Sequence, residues 1–230
     1  VNQTGDLASL SYLSEQQLAL LSNILKLRDA LYSVQFRDFL RRVTGCGPLS
    51  GVKQDMSVNT YRKGCHLLNH DDVIGSRRVS YILYMPLPHH RPWKKEWGGA
   101  LELYPVREAD GAGAGAAAED GVVLEPVPVP SKSIPPAWNQ FVFFEVQPGR
   151  SFHSVEEVVI EDDGGGGGGG GGGEDGLQRL SISGWFHAAQ PGEEGYEGEV
   201  AQDLPSSREQ LVSAPDGCFF VPRLLIFSSV

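Results

Sequence analysis

The chain has no long apolar run: nowhere in its 230 residues does a hydrophobic stretch approach the ~20 residues that span a bilayer. It has no charged segment followed by an apolar one at its start, so no secretory signal is expected within this stretch. It also lacks an initiator methionine and opens on Val1, which reads as a fragment of a longer protein. Cysteine is scarce. Cys46, Cys65 and Cys218 are odd in number and irregularly spaced, which excludes a disulfide framework and a C-x-x-C zinc site. Scattered reduced thiols fit the cytoplasm or nucleus. Positive charge is also short, with 19 Lys+Arg against 29 Asp+Glu and a net charge of −10. The shortage is uneven: residues 1–95 hold 13 basic and 7 acidic side chains, and residues 96–230 hold 6 and 22. Such an acidic half disfavours direct nucleic-acid binding and suits a basic protein partner.

Glycine is abundant, at 29 residues, and ten of them run unbroken from 164 to 173 between acidic flanks. Polyglycine buries no side chain and behaves as a flexible coil. A phosphate-cradling loop would need a following Lys-Ser/Thr and a helix start, and neither is present. A second low-complexity stretch, 110–121, is rich in Gly and Ala. Both read as surface inserts between strands.

The first 45 residues read as helices. Ser14 followed by Gln17 is a capping box, and Leu18, Leu21, Leu25, Leu27 and Leu31 recur at roughly helical spacing. Phe36, Phe39 and Leu40 share one side of a second stretch that Gly45 is suited to stop. From about residue 56 the pattern turns to strands, expected at 58–62, 78–87, 100–104, 140–145, 151–155 and 180–187. The expected fold is therefore mainly β with an N-terminal helical buttress: a jelly roll over 56–190 backed by 1–45. Residues 191–230 read as an acidic linker or tail, with the apolar run 218–227 fitting either the first strand of a further domain or a tail.

Two distant segments carry the chemistry. Asn69-His70-Asp71-Asp72 places His70 and Asp72 two apart, so on a strand both would project to one face, with Asp71 opposed. His153 follows the turn Pro148-Gly149-Arg150 and is the best further ligand. His89 and His90 lie in a Pro/Arg-rich loop and read as solvated, while His66 and His187 lack the spacing. Two His and one carboxylate form the facial triad that holds Fe(II) and leaves positions open. Downstream, Arg179 opens an apolar strand. A buried guanidinium needs an anionic partner, and its fork matches a carboxylate. The set points to an oxygenase that uses 2-oxoglutarate and O2. Ser181, on the same face as Arg179, and Tyr84 are candidates to assist at that carboxylate. Tyr61 is a candidate for lining the iron site, and Trp185 for packing against substrate.

The segments Gly75-Ser76-Arg77-Arg78-Val79-Ser80-Tyr81-Ile82-Leu83-Tyr84, Gly98-Gly99-Ala100-Leu101-Glu102-Leu103-Tyr104, Ile134-Pro135-Pro136-Ala137-Trp138-Asn139, Ser151-Phe152-His153-Ser154-Val155 and Arg179-Leu180-Ser181-Ile182-Ser183-Gly184-Trp185 follow Asn69-His70-Asp71-Asp72 in order. Over roughly residues 5–190 the chain resembles the catalytic domain of the eukaryotic ribosomal prolyl hydroxylases, the Tpa/Ofd-type oxygenases. The resemblance implies a double-stranded β-helix with His70, Asp72 and His153 on iron and Arg179 and Tyr84 on 2-oxoglutarate. It also implies ascorbate (vitamin C) support and, as substrate, a proline in a small-subunit ribosomal protein at the decoding centre. The family's second, non-catalytic jelly roll is not expected within this sequence, and the two Gly-rich inserts depart from the family pattern. Two alternatives stand: the same chemistry on another protein, or a non-catalytic jelly-roll adaptor in translation or mRNA turnover.

Overall fold

The computed structural model of the chain describes residues 1–85, 92–109, 116–117, 123–160, 178–198 and 224–228. The polyglycine run and the His89-His90 pair lie outside the described residues, as does most of 110–121.

Three helices come early: α1 (Glu15–Leu20), α2 (Ser22–Leu31) and α3 (Val34–Thr44). The Ser14–Gln17 capping box forms in both directions, satisfying N–H groups that a helix start leaves without partners. The leucine periodicity that suggests one helix is split at Leu21, whose backbone leaves helical geometry to end α1 and begin α2. Gly45 terminates α3 with φ of 81°, the left-handed region in which glycine pays no steric penalty.

Strands β1 (Asn2–Gln3), β2 (Leu49–Tyr61), β3 (Leu67–His70), β4 (Arg77–Tyr84), β5 (Leu101–Leu103), β6 (Val106–Glu108), β7 (Ala116–Ala117), β8 (Val123–Pro126), β9 (Lys132–Ile134), β10 (Gln140–Glu145), β11 (His153–Val155), β12 (Arg179–Ala188) and β13 (Leu224–Ser228) make up the rest. Two antiparallel sheets dominate, ordered β1-β2-β12-β4-β10-β13 and β3-β11-β5-β9, with a small third sheet β6-β8-β7. Sequence-distant neighbours such as β2 and β12, or β4 and β10, give the jelly roll its double-stranded β-helix form. No helix among the described residues is long and apolar enough to cross a membrane.

Period-two alternation sorts the side chains of the larger sheet. Met56, Val79, Tyr81, Leu83, Phe143, Ile182 and Phe186 face the helices and form one core with Leu31, Tyr32 and Leu40. Phe186 and Phe143 are fully buried there, so truncating either to Ala should cost about 3–5 kcal/mol. Tyr84, Val142 and Phe144 take the opposite face and pack between the sheets against Leu101, Leu103 and Ile134. Ser80, Arg179 and Ser181 share that inner face. Tyr32 fastens the helical layer to the larger sheet. Its hydroxyl lies 2.8 Å from the Asp55 carbonyl oxygen and 3.0 Å from that of Trp185, and burial pushes its pKa up to about 12.

Residues 224–228, which the sequence suggests as tail or as the opening of a further domain, join the jelly roll itself. They pair antiparallel with β10 from Gln140 to Phe144 and extend the same sheet. The pairing partner is far upstream, so no local pattern announces it.

Candidate metal centre and buried arginine

β3 and β11 pair antiparallel with His70 directly opposite His153, so two residues 83 positions apart face each other across one ladder. Their rings lie 4.2 Å apart, centroid to centroid. Asp72 reaches both: its Oδ1 is 3.3 Å from His70 Nε2 and its Oδ2 is 3.3 Å from His153 Nε2. One ligand atom from each residue falls within 4.8 Å of the others. Asp72 and His153 are buried, and His70 is partly exposed.

The route by which Asp72 gets there differs from the sequence expectation. β3 ends at His70, so strand alternation does not carry Asp72 to the His70 face. Asp72 instead adopts φ of 62°, a left-handed backbone that Asp tolerates better than most side chains. Asp71 points elsewhere, with its Oδ1 accepting the Val73 N–H at 3.2 Å.

Each imidazole is oriented by its own strand. His70 Nδ1 lies 2.8 Å from the Leu68 carbonyl oxygen, and His153 Nδ1 lies 2.8 Å from that of Ser151. A carbonyl only accepts, so each Nδ1 carries a proton, and in the neutral form that binds metal each Nε2 presents a lone pair to the centre. Burial raises the Asp72 carboxyl pKa, but the charge and hydrogen bonds of His153 and His70 outweigh it and hold the group well below the usual range. Burial lowers the His70 pKa, and the Asp72 hydrogen bond and charge reverse that to leave it raised. Ser80 Oγ donates to Asp72 Oδ2 at 2.9 Å. Two donors each about 2.1 Å from one ion and at right angles lie about 3 Å apart. The 3.3 Å separations, the paired Nε2 lone pairs and the ionised carboxylate therefore fit a divalent transition metal.

Arg179 is 1% exposed, and no carboxylate among the described residues lies within ion-pair distance of it. Its Nε donates to the Gly99 carbonyl at 2.6 Å, one Nη donates to the Tyr84 hydroxyl at 3.2 Å, and the other lies 3.5 Å from Ser181 Oγ. The rings of Tyr61 and Tyr84 flank the guanidinium at 4.7 and 5.0 Å. A charge desolvated this far and given only neutral partners is costly alone and is suited to an incoming anion. Burial raises the pKa of both Tyr84 and Tyr61, although the Arg179 charge works against it. Both therefore stay neutral, and Tyr84 keeps a hydroxyl to give.

Tyr61 sits across the ladder from Arg179, and its ring lies against the guanidinium rather than the His/Asp cluster. Trp185 has one ring face covered by the Arg77 guanidinium, 3.4 Å above its centroid. That face is closed to a substrate ring. His66 is exposed and contacts the Gly64 carbonyl, while His187 is buried against Ser76. Neither joins the cluster.

Three neighbours of the site escape the sequence reading: Ser80 on Asp72, Gly99 on Arg179, and Arg77, whose Nη lies 3.9 Å from Asp72 Oδ1. Gly99 had a visible signal, a Gly-Gly pair just before a strand. A Cβ there would meet Arg179 Cδ at 2.9 Å, and its φ is +74°. Arg77 had none, because a strand-opening Arg-Arg doublet reads as solvated.

Residues 56–164 match the 2OG-Fe(II) oxygenase superfamily, a span that takes in His70, Asp72 and His153 and ends before Arg179. The chain belongs to that superfamily, whose name carries Fe(II) and 2-oxoglutarate, with O2 as the oxidant. Within it, the chain is 43% identical over 187 residues to prolyl 3,4-dihydroxylase OGFOD1 of Ostreococcus tauri, covering 81% of this chain and 30% of that protein. It is 37% identical over 166 residues to prolyl 3-hydroxylase OGFOD1 of Xenopus laevis, covering 72% and 25%. The chain thus spans under a third of the length of these curated relatives. A solved Pseudomonas putida prolyl-4-hydroxylase aligns with 77% of this chain and 67% of its own at 20% identity and a TM-score of 0.38.

Proposed function

We propose that this chain is the catalytic unit of a 2-oxoglutarate- and Fe(II)-dependent prolyl hydroxylase of the OGFOD1 kind. His70, Asp72 and His153 would hold the iron, and Arg179 with Tyr84 and Ser181 would hold the far carboxylate of 2-oxoglutarate. The observation that carries this reading is the pairing of a two-His, one-carboxylate cluster with a buried arginine that has no carboxylate partner among the described residues, both on one jelly roll. When bound, iron would let O2 oxidise 2-oxoglutarate to succinate and carbon dioxide, with one oxygen atom entering succinate and the other a prolyl C–H bond. The protein's own part is positional. The Leu68 and Ser151 carbonyls fix both imidazole tautomers. Ser80 restrains Asp72, and Tyr61, Tyr84 and Gly99 hold the guanidinium fork in place.

The proposed substrate is a proline of a small-subunit ribosomal protein at the decoding centre, met in the cytoplasm or nucleus, with ascorbate sustaining turnover. The resemblance of the motif series supports that choice, and the acidic second half of the chain suits a basic ribosomal protein. The test is mass spectrometry of a proline-containing peptide from that ribosomal protein, incubated with the chain, Fe(II), 2-oxoglutarate and O2. The expected result is a gain of one oxygen on proline that disappears without 2-oxoglutarate. Succinate without peptide oxidation would keep the oxygenase and remove this substrate. Neither product would overturn the reading.

A further inference from the structure

We infer that Arg77 is a positioning residue for Asp72, held to that task by Asp55 and Trp185. The inference rests on the reading that Asp72 is a metal ligand.

The ladder between β4 and β12 carries a register fault. Along β4 and β12 the partners run Ser181–Tyr84 through Phe186–Val79 without a break, and the next pair is His187–Arg77. One residue of β4, Arg78, is therefore extra, which is a β-bulge. Without it, Arg77 would fall on the odd-numbered face with Val79, Tyr81 and Leu83, inside the apolar core under the helices. The bulge turns it to the inner face instead. There its guanidinium meets Trp185 at 3.4 Å, Asp55 Oδ2 at 3.5 Å and Asp72 Oδ1 at 3.9 Å.

The arrangement is a bracket. Trp185 lies opposite Asp55 on one side of β12 and opposite Ser80 on the other, so its ring forms a floor between the two carboxylates. The planar guanidinium stacks on that floor and has one Nη toward each carboxylate. Asp55 is anchored in turn, because its backbone carbonyl accepts from Tyr32. Its carboxylate also lies 3.8 Å from His187 Nε2. His187 Nδ1 lies 3.1 Å from Ser76 Oγ, and that oxygen also accepts from Lys53 and Gln190.

Asp72 needs such help. It lies beyond the end of β3 with a left-handed backbone, so no strand ladder fixes its carboxylate. Ser80 restrains the Oδ2 side, and Arg77 faces the Oδ1 side. Partners behind a ligand are worth about 10–100-fold in metal affinity or activity.

The experiment measures Mn(II) binding to the whole chain by calorimetry, with far-UV circular dichroism reporting the fold. Wild type must bind Mn(II) and Asp72→Ala must not; failure of that pair would sink the metal-site reading itself. Given that pair, Arg77→Gln is expected to weaken Mn(II) binding about 10-fold. Asp55→Asn is expected to weaken it several-fold, and to add nothing in the Arg77→Gln background because it acts through Arg77. Asp55 is partly exposed, so its single variant gives an answer even if Arg77→Gln does not fold. Unchanged or tighter Mn(II) binding in a folded Arg77→Gln chain would overturn the inference, as would an unchanged Asp55→Asn or a full Asp55→Asn loss on top of Arg77→Gln.

Discussion

The Tyr84 hydroxyl stands 3.2 Å from an Arg179 Nη, while Tyr61, 4.7 Å from the same guanidinium, offers only its ring. Removing each hydroxyl should therefore have unequal effects. Tyr84→Phe takes away the acceptor and leaves a buried donor short of a partner, a loss of about 1–3 kcal/mol. The apparent 2-oxoglutarate KM should rise roughly 5- to 150-fold on that basis. Tyr61→Phe keeps the ring and should change it less than about twofold. Steady-state succinate release against 2-oxoglutarate concentration distinguishes the two, and equal effects would contradict the assignment.

Arg179 should reveal a conflict between stability and binding. Holding a charge out of water without an anionic partner costs several kcal/mol, a penalty that a hydrophobic side chain of similar length does not carry. The ligand-free Arg179→Met chain should thus melt at or above the wild-type temperature. It should also lose the upward shift that 2-oxoglutarate gives wild type in the presence of Mn(II). A large drop in the melting temperature of ligand-free Arg179→Met would mean that the arginine is structural.

Gly99→Ala tests the cradle beneath that arginine. The new methyl would need a left-handed backbone and would press on Arg179 Cδ and Val158. A destabilisation of about 1–3 kcal/mol is expected, with weaker 2-oxoglutarate binding besides. Thermal melts and isothermal titration would measure both, and a neutral result in both would show that the close approach is dispensable.

The metal-free cluster should have a definite pH window. The depressed Asp72 carboxyl contributes stability that is present above its unfolded value of about 3.9 and fades as pH falls through its lower folded value. The raised His70 contributes stability that is complete below about 6.5 and fades as pH rises through its folded value. Asp72→Asn should consequently cost most in mildly acidic solution, and the melting-temperature gap to wild type should narrow toward both extremes. Mn(II) affinity should move the opposite way to His70 protonation, climbing as pH rises through the raised His70 value, because a bound ion needs neutral imidazoles. A gap constant from pH 4 to 9 would remove the coupling of His70 to Asp72.

The residues that the sequence brings forward are those whose neighbours repeat a pattern. Gln140–Glu145 is read with its boundaries intact because the apolar run Phe141-Val142-Phe143-Phe144 between polar ends marks a strand with both faces covered. The Ser14 cap and the Gly45 stop are local chemistry, legible without any partner. His153 and Arg179 stand out because polar groups in apolar strands need a reason to be there, and His70 with Asp72 stands out as an H-x-D pair. What escapes is set by distant or irregular geometry. Arg77 reaches the inner face through a bulge that period-two reasoning cannot foresee, Asp72 reaches the histidines through a left-handed backbone beyond the end of β3, and Leu224–Ser228 finds its neighbour only once β10 is in place.

Tyr32 closes α2, in a helical layer that looks expendable beside the jelly roll. Yet its single hydroxyl proton is shared between the carbonyls of Asp55 and Trp185, the two residues that frame Arg77. Shortening this chain from its amino-terminal side past Tyr32 would therefore act as an unintended lesion two layers away, in the surroundings of Asp72. An inactive truncate should have its helices restored through Tyr32 before it is taken as evidence against the chemistry.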